Sequence, residues 1–409
     1  MSENTATKKS WLAERLAFQI GLQAQLKLDR VSPLFLMGRV GLAKTAYAES
    51  VAKVLGGKNV FIFSASQIMP ELVGGMPYAN VEEMCVHLLP ADKFAECVKA
   101  GPGNSIIILD EMPDAAPMVQ AAFHRLFTHG EAGSIRLPDR TAIVGMGNPP
   151  DQSTTGGAMS EAITTRSCIV PWRGPTLDAY NAFRLLDSTA LANNTKAEYP
   201  APEIFELPSD WLKTLPEVCR KFAAFRQGPG RKYFQTRAEP NSTLGGMMLG
   251  RSAPAANPRT WENAEYLLAA CDSIGEFALP ARHLLLAGCI GEAASLDFFS
   301  FEKNMHLPNP EECLFENPAL PREDHLLLPV CHAVVAAVVE NNTLDRHKRA
   351  WDFLARVMRE TQKEDMVAIA SVALFKNRPA GMKDWHECVK TIAPILEESG
   401  LLGRAQRGN

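Results

Sequence analysis

The sequence predicts an α/β domain built on a parallel sheet and followed by two helical regions. Between residues 34 and 172, short apolar segments alternate with segments of helical periodicity. The apolar segments read PLFLM, NVFIFSA, SIIILDE, TAIVGMG and SCIVPW. Strands that are buried on both faces of a parallel sheet read as such continuous runs, and the helices between them cover the sheet. After about residue 173 helical patterns dominate, so we predict three regions, 1–173, 174–280 and 281–409.

The composition is that of a folded protein without a strong charge bias. Of the 409 residues, 46% are hydrophobic and 22% are charged, the formal net charge is -4 and the pI is about 6.2. This balance argues against a general positive field for nucleic acid or anionic membranes. The opening MSENTATKKSWLAERL lacks the apolar core of a signal peptide, and no run of 18 apolar residues is present. We therefore expect a cytoplasmic protein with no membrane span, in which the nine scattered cysteines are reduced.

The first apolar segment is preceded by a predicted helix and followed by a loop rich in small residues. The helix is SWLAERLAFQIGLQAQLKL, amphipathic and capped by Ser10. The loop lies in LFLMGRVGLAKTAYAES, residues 34–50. Its order of strand, glycine-bearing turn and helix is typical of a phosphate-binding loop, whose backbone N–H groups point at a phosphate. Gly38 and Gly41 permit the tight turn and a close approach of the backbone.

This loop departs from the pattern G-x-x-x-x-G-K-[ST] at Ala43, where glycine is usual. The extra methyl group is tolerable if φ at Ala43 is negative and the side chain points away from the ligand. Lys44 would then reach the β- and γ-phosphates of ATP, and the Thr45 hydroxyl would bind Mg²⁺. The predicted nucleotide-binding residues are Gly38, Arg39, Val40, Gly41, Leu42, Ala43, Lys44, Thr45, Ala46 and Asp110.

Polar residues follow two of the other predicted strands. SIIILDEMPDA ends its aliphatic run at Asp110 and Glu111, and TAIVGMGNPPD ends at Asn148. The carboxyl ends of the strands are where ligands bind in open α/β sheets. Asp110 is predicted to hold Mg²⁺ through water, Glu111 to act as general base on the attacking water, and Asn148 to orient that water or contact the γ-phosphate.

The order G-x-x-G-x-A-K-T, aliphatic strand-D-E and strand-x-x-N-P resembles the AAA+ ATPases, and within them the MoxR-like branch. That branch often carries alanine before the lysine, while Val40 stands where the family often has proline. MPELVGGMPYANVEE lies where the family inserts a loop into its second helix, and HGEAGSIRLPDRTAIVG is similar to its hairpin before the sensor-1 strand, the strand that ends at Asn148 here. The resemblance spans roughly residues 11–275 and continues more faintly through GEAASLDFFSF and LPNPEECL.

The resemblance also implies two catalytic arginines. Arg166, in MSEAITTRSCIVPW, matches the arginine finger, and Arg259, in ANPRTWENAEYLLAA, matches the sensor-2 arginine of the lid. The family usually has an acid before the finger and phenylalanine after it, whereas Thr165 and Ser167 stand here. A planar, permanently charged guanidinium suits the charge that develops on a transferring phosphoryl group. Three other arginines remain candidates for the finger: Arg136, Arg140 and Arg173.

The resemblance implies an AAA+ core, a helical lid and a helical C-terminal region. It further implies a Mg²⁺-dependent ATPase that forms a homo-oligomeric ring, expected to be hexameric, and remodels or activates a protein client, often with a von Willebrand factor A partner. The inserted segment near Gly74 and Gly75 is expected to face the pore of that ring. Two alternatives remain open: a nucleic-acid-directed ring motor, and a nucleotide-binding scaffold without turnover.

Overall fold

The fold was analysed in a computed structural model of the chain. It describes residues 3–29, 31–56, 59–153, 157–193, 195, 203–305, 307–321, 323–382 and 384–398. The strands are β1 (Leu34–Met37), β2 (Val60–Ser64), β3 (Met76–Asn80), β4 (Cys85–Leu89), β5 (Ile106–Asp110), β6 (Glu131–Ala132), β7 (Ile135–Arg136), β8 (Ala142–Gly147), β9 (Cys168–Pro171), β10 (Thr243–Leu244) and β11 (Met247–Met248). The helices are α1 (Glu3–Lys27), α2 (Lys44–Gly56), α3 (Pro70–Gly74), α4 (Asp92–Ala100), α5 (Pro117–His129), α6 (Glu161–Thr164), α7 (Leu177–Ala192), α8 (Leu215–Gln227), α9 (Pro258–Ile274), α10 (Leu279–Ile290), α11 (Glu292–Asn304), α12 (Pro310–Phe315), α13 (Asp324–Glu340), α14 (Leu344–Thr361), α15 (Glu364–Lys376) and α16 (Val389–Glu398).

The predicted apolar segments form one parallel sheet of five strands in the order β2-β5-β8-β1-β9. Every residue of β1, β8 and β9 is buried, as expected for strands covered on both faces. All carboxyl ends of a parallel sheet lie at the same edge. The segments that follow β1, β5 and β8 therefore meet there, and we call this the carboxyl edge; the opposite side is the amino edge. The fold is the α/β P-loop NTPase core predicted from the sequence, with helical regions after it.

The first helix differs from its prediction in two respects. α1 begins at Glu3, so Ser10 lies inside the helix and is not its N-cap. From Ala13 to Gln25 almost every side chain is buried, because α9, α10 and the sheet pack around α1. Some of its buried side chains bond to backbone: the Gln25 Oε1 atom accepts from the Ile143 N–H at 2.8 Å. A helix that is buried on several sides shows little of the amphipathic pattern expected of a surface helix.

Two antiparallel hairpins leave the core of the sheet. β3 pairs with β4 in the segment that the sequence identified as an insertion, and no residue of either strand is fully buried. β6 pairs with β7 just before β8, which confirms the predicted hairpin. The hairpins touch each other: the Ser134 N–H donates to the Leu88 carbonyl at 2.8 Å, and the Ser134 hydroxyl accepts from the Leu88 N–H at 2.8 Å.

The chain divides into two compact units. Unit 1 comprises Met1–Leu215 and Tyr233–Leu296, and it contains the sheet. Unit 2 comprises Pro216–Lys232 and Asp297–Asn409 and is helical throughout its described part. The three regions 1–173, 174–280 and 281–409 remain a prediction, and the boundaries of the two units fall at other positions. In the described part of the chain, β10 and β11 are the only strands after residue 173, in agreement with the sequence pattern.

Unit 2 has a hydrophobic core of its own. Trp351 and Leu354 of α14 and Val334 of α13 are fully buried in it. The start of α14 is capped by the Thr343 hydroxyl, which accepts from the Arg346 N–H at 3.3 Å. No helix in the described part of the chain combines the length and the apolar character required to cross a bilayer.

Candidate functional site

The predicted phosphate loop connects β1 to α2 at the carboxyl edge. Gly38 follows β1 directly, and a Cβ atom there would lie 2.1 Å from the Trp172 carbonyl oxygen, so no other residue fits. Gly41 has a φ of 79°, in the region that glycine enters without strain. α2 begins at Lys44, which places the loop at the N-terminus of a helix, where backbone N–H groups and the helix dipole favour anions.

Ala43 does not meet the condition set for it from the sequence. Its φ is 57°, in the left-handed region, rather than negative. For an L-residue this conformation costs about 1–2 kcal/mol, because Cβ approaches the following carbonyl oxygen. Its methyl group is exposed. The loop therefore keeps the backbone of the glycine-containing pattern, and alanine carries conformational strain in it.

The ammonium group of Lys44 is held by the loop and by Asn148. It donates to the carbonyl oxygens of Gly38 at 2.7 Å and Arg39 at 2.9 Å, and to Asn148 Oδ1 at 3.0 Å. Burial lowers the pKa of Lys44, and the charge of Asp110 opposes this shift. A hydrogen bond with a charged partner is roughly twice as strong as one between two neutral groups. Charged phosphate oxygens are therefore stronger acceptors for Lys44 than these neutral oxygens. The lysine is thus positioned for an anionic ligand beside Asn148.

Thr45 and Asp110 form the second contact of the site. The Thr45 hydroxyl donates to Asp110 Oδ2 at 2.7 Å, and Asp110 Oδ1 accepts from the Glu111 N–H at 2.9 Å. Hydroxyl and carboxylate oxygens are the hard ligands that Mg²⁺ prefers, and Mg²⁺ commonly takes only one or two protein ligands beside nucleotide phosphates and water. The donor set therefore fits Mg²⁺, with Thr45 and Asp110 as the residues that would hold it.

The side chain of Glu111 is oriented by two serines that were not predicted. Glu111 has a φ of 58°, and its Oε2 atom accepts from the hydroxyls of Ser64, at 3.1 Å, and Ser66. Ser64 ends β2, whose last residue is in register with Asp110 of β5. The sequence did carry a signal for this contact, because β2 reaches the same carboxyl edge as β5. The carboxylate is therefore fixed beside Asp110 while remaining exposed to water.

A buried tryptophan packs against the phosphate loop and donates a hydrogen bond to it. Trp172 follows β9, and its Nε1 atom donates to the Leu42 carbonyl oxygen at 2.9 Å. Its ring lies 4.9 Å from that of Tyr47 on α2, whose hydroxyl accepts from Gln19 Nε2 at 3.1 Å. Sequence reasoning missed Trp172, because a tryptophan after a strand carries no motif. Its contacts fix both the loop and the start of α2.

The predicted residues meet around one cavity of about 450 Å³, a size typical of small-molecule sites. It is lined by Val40, Gly41, Leu42, Ala43, Lys44, Thr45, Ala46, Asp110, Glu111, Gly147 and Asn148. Gly38 and Arg39 take part through their carbonyl oxygens, which bind Lys44. The three strand ends chosen from the sequence thus form a single site, to which the structure adds Gly147.

Neither Arg166 nor Arg259 lines this cavity. Arg166 precedes β9, and the three steps from Cys168 to Pro171 alone span about 10 Å, so Arg166 lies toward the amino edge. Its Nη1 atom donates to the Ala162 carbonyl at 2.7 Å, and its buried Nε atom has no hydrogen-bond partner among the described residues. Arg259 is an exposed residue in the first turn of α9.

The two arginines share one electrostatic environment with His124 of α5. Burial lowers the pKa of His124, and the charges of Arg166 and Arg259 lower it further. Burial also lowers the pKa of Arg166, as does the charge of Arg259. We call His124, Arg166 and Arg259 the arginine face. Its accumulated positive charge favours an anionic partner.

The three alternative finger residues do not line the cavity either. Arg173 is tied to its own unit: its Nη2 atom donates to the Gly245 carbonyl at 2.9 Å, and its backbone N–H donates to Glu14 at 2.8 Å. The backbone N–H of Arg140 donates to Asp29, and Arg136 is exposed on β7. The finger assignment therefore remains a prediction, with Arg166 distinguished by its unpartnered Nε atom.

Comparisons with known proteins agree with this geometry. Residues 33–166 match the family model of the AAA domain (dynein-related subfamily), a segment that runs from β1 to Arg166. The comparison with curated proteins gives no match for the chain. Among solved structures, the chain is similar to a Cytophaga hutchinsonii ATCC 33406 protein provisionally named an ATPase, with 13% sequence identity and a TM-score of 0.44. That match covers 74% of this chain and 98% of the other, and a likeness this weak carries no argument.

The family match and the site cover the same residues. Except for Arg259, every residue predicted for nucleotide binding or catalysis lies within 33–166. Residues 33–166 are thus similar in sequence to the AAA domain, and they contain the phosphate loop and four of the five strands of the sheet.

Proposed function

We propose that this protein is a Mg²⁺-dependent ATPase of the MoxR-like AAA+ type, which forms a ring and uses ATP hydrolysis to remodel or activate a protein client. One observation carries the catalytic part of the proposal. The contacts Thr45–Asp110 and Lys44–Asn148 and the oriented carboxylate of Glu111 converge on one cavity at a helix N-terminus. This is the set of groups that phosphoryl transfer to water requires.

Each residue has a defined part in the reaction. Lys44 and the loop N–H groups bind the β- and γ-phosphates. Glu111 accepts a proton from the attacking water molecule. As it does so, the water oxygen forms a bond to the γ-phosphorus, and the bond between that phosphorus and the ADP oxygen breaks. Asn148, which already contacts Lys44, orients the water or the γ-phosphate. Mg²⁺, when bound at Thr45 and Asp110, neutralises charge on the phosphates.

The position of the arginine face supports assembly into a ring. Arg166 and Arg259 do not line the cavity of their own chain, so they would serve a nucleotide only if it were bound to a neighbouring copy. An arrangement in which each copy offers its arginine face to the next copy's carboxyl edge is heterologous, and such contacts form a ring when the rotation between copies closes. Hexameric size and a von Willebrand factor A partner follow from the resemblance alone.

The β3–β4 hairpin supports a protein client over a nucleic acid. Its apolar side chains are exposed, with Tyr78 at 59% and Met84 at 87%. From Pro70 to Ala91 the sequence contains no lysine or arginine and three glutamates. Nucleic-acid binding depends on neutralising phosphates with basic residues, so this hairpin is unsuited to it. If the Met76→Ser or Tyr78→Ser variant left client-stimulated activity unchanged, this part of the proposal would be withdrawn.

ATP hydrolysis as a function of protein concentration tests the proposal. The samples are wild type, Glu111→Gln, Arg166→Ala and, as a matched control, Arg349→Ala, an exposed arginine of α14 paired with Asp345. We expect turnover that rises steeply with concentration, together with a ring-sized species in the presence of nucleotide. Loss of the general base should reduce turnover about 10²- to 10⁴-fold and loss of the finger about 10³-fold or more, while Arg349→Ala is unchanged.

The possible failures separate the alternatives. Turnover proportional to concentration that survives Arg166→Ala would refute a finger supplied by a neighbour. Nucleotide binding without turnover at any concentration would favour the scaffold. Stimulation by DNA or RNA that falls with rising salt would favour the nucleic-acid motor.

A further inference from the structure

The turn of the β3–β4 hairpin brings together three side chains of different chemistry. Cys85 and His87 occupy alternate positions of β4, so their side chains point to the same face, and Glu83 lies in the turn just before them. The chain reverses over residues 81–84, where Met84 adopts a φ of 53°. A carboxylate, a thiol and an imidazole are therefore presented together at the tip of an exposed hairpin, away from the nucleotide site.

The ligand atoms of these residues converge. The His87 Nε2 atom lies 2.9 Å from Glu83 Oε2 and 3.5 Å from Cys85 Sγ. Cys85 Sγ lies 3.6 Å from Glu83 Oε2. Each residue thus directs one donor atom toward a common point, although the side chains of Glu83 and Cys85 are exposed and free to turn into water.

Two of these three separations match the edges of a tetrahedral zinc site. Bonds of about 2.3 Å to sulphur and about 2.0–2.1 Å to nitrogen or oxygen, at tetrahedral angles, place sulphur about 3.5 Å from the other two donors. The same geometry separates nitrogen from oxygen by about 3.3 Å. The two sulphur distances, 3.5 and 3.6 Å, agree with this expectation, and the nitrogen–oxygen distance of 2.9 Å is shorter by about 0.4 Å.

We propose that Glu83, Cys85 and His87 bind a zinc-class divalent cation at the tip of the β3–β4 hairpin. Thiolate and imidazole ligands select Zn²⁺ and its chemical relatives over Mg²⁺ and Ca²⁺, which prefer oxygen. Three protein ligands leave the fourth tetrahedral position to water. The cation therefore differs in chemistry and location from the Mg²⁺ expected at Thr45 and Asp110.

Asn80 supports the turn from the other arm of the hairpin. It is the cross-strand partner of Cys85, and its Oδ1 atom accepts from the Glu83 N–H at 3.3 Å. This bond fixes the backbone of one proposed ligand beside another. The cation would connect the turn to β4 and restrict the motion of the exposed apolar tip.

Titration of the metal-free full-length protein with Co²⁺ tests the proposal directly. Co²⁺ adopts tetrahedral sites like those of zinc, and its bond to a thiolate gives a charge-transfer absorption band that oxygen ligands do not give. We expect the band to saturate at one equivalent and to disappear when Zn²⁺ is added. Cys85→Ser and His87→Gln should abolish the band, while Glu83→Gln should weaken Co²⁺ binding.

Cys219→Ser is the matched control, because it removes a partly exposed thiol outside the hairpin. It should leave the band intact. Hydrogen exchange of residues 76–89 provides a second measurement. We expect Zn²⁺ to slow the exchange of these amides in wild type and to leave it unchanged in Cys85→Ser. Absence of the band in wild type, or its survival in Cys85→Ser, would overturn the proposal. Either outcome is independent of ATP hydrolysis, since none of these residues lies in the nucleotide site.

Discussion

The carboxyl edge and the arginine face differ in how their charges are balanced. At the carboxyl edge the charged groups have partners in the same chain: Lys44 binds Asn148 and two carbonyls, and Thr45 binds Asp110. At the arginine face the charges of Arg166 and Arg259 lower the pKa of His124, and the charge of Arg259 lowers the pKa of Arg166, each in addition to a larger effect of burial. The first region is organised within one chain, and the second has its charge directed to something outside it.

β9 shows why the two regions stay apart. Arg166 lies just before this strand and Trp172 just after it, so one strand connects the arginine face to the support of the phosphate loop. Because β9 is extended, its two ends are held about 10 Å apart. Under the proposed mechanism, nucleotide binding and catalysis therefore have separate structural requirements: binding is assigned to the carboxyl edge alone, and catalysis to the carboxyl edge together with the arginine face of a second copy.

Substitutions in the two regions should differ most in their effect on ATP affinity. Lys44→Ala removes charge-assisted hydrogen bonds worth about 2–3 kcal/mol, so ATP affinity should fall about 30- to 150-fold. Arg166→Ala and Arg259→Ala should leave affinity unchanged at protein concentrations too low for assembly. Isothermal titration calorimetry of each variant measures this, with Lys53→Ala as the control, a lysine on the same helix whose exposed side chain pairs with Glu49.

The comparison fails if either arginine variant weakens binding by dilute protein as much as Lys44→Ala does. Such a result would mean that the arginines reach the nucleotide of their own chain through a movement of α9 or of the turn after α6. Weak binding by Lys53→Ala would instead indicate that α2 as a whole, rather than the Lys44 ammonium, was disturbed.

A medium effect is expected from the tryptophan that supports the loop. Trp172→Phe retains a ring against Tyr47 but removes the hydrogen bond to the Leu42 carbonyl, worth about 1 kcal/mol, so ATP affinity should fall about fivefold. Trp211→Phe is the control, because Trp211 is equally buried in unit 1 but packs near α9. Both variants should lose similar stability in chemical unfolding, and only Trp172→Phe should lose affinity. Equal losses of affinity would show that general destabilisation, not support of the loop, is responsible.

Features that a local sequence pattern records could be predicted, whereas features that depend on tertiary contacts could not. Strands such as β5 and β8 are buried on both faces, so their aliphatic runs stand out, and their ends place Asp110 and Asn148 at one edge. The part played by Trp172 depends on a tertiary contact between β9 and the loop, which no local pattern records. Neither hairpin arm is buried, so β3 and β4 lack the alternation that marks a half-buried strand.

Single positions were harder to predict than elements. Ser10 is a good capping residue, but α1 extends to Glu3 and passes through it. Ser64, the last residue of β2, and Ser66, just after it, hold Glu111, and their effect appears only when that strand is placed beside β5. The backbone at Ala43 was misjudged because a side chain favours negative φ, whereas the loop imposes 57°. Here the geometry of the phosphate loop prevails over the preference of one residue.

The smallest expected effect is the change in stability when the left-handed residue Ala43 of the phosphate loop is replaced. Ala43→Gly relieves the left-handed strain, which costs about 1–2 kcal/mol. Glycine also increases the entropy of the unfolded chain, and this cancels part of the gain. The free energy of unfolding should therefore rise by up to about 1 kcal/mol. Ala43→Val places a β-branched residue at the same φ and should destabilise the loop. Chemical unfolding of unit 1, followed by tryptophan fluorescence, measures both variants, and Ala48→Gly inside α2 is the control, expected to lose stability. Were Ala43→Gly to destabilise as much as Ala48→Gly, the loop backbone at residue 43 would not be left-handed in solution, and the carboxyl edge would lack the glycine-type geometry on which its phosphate binding depends.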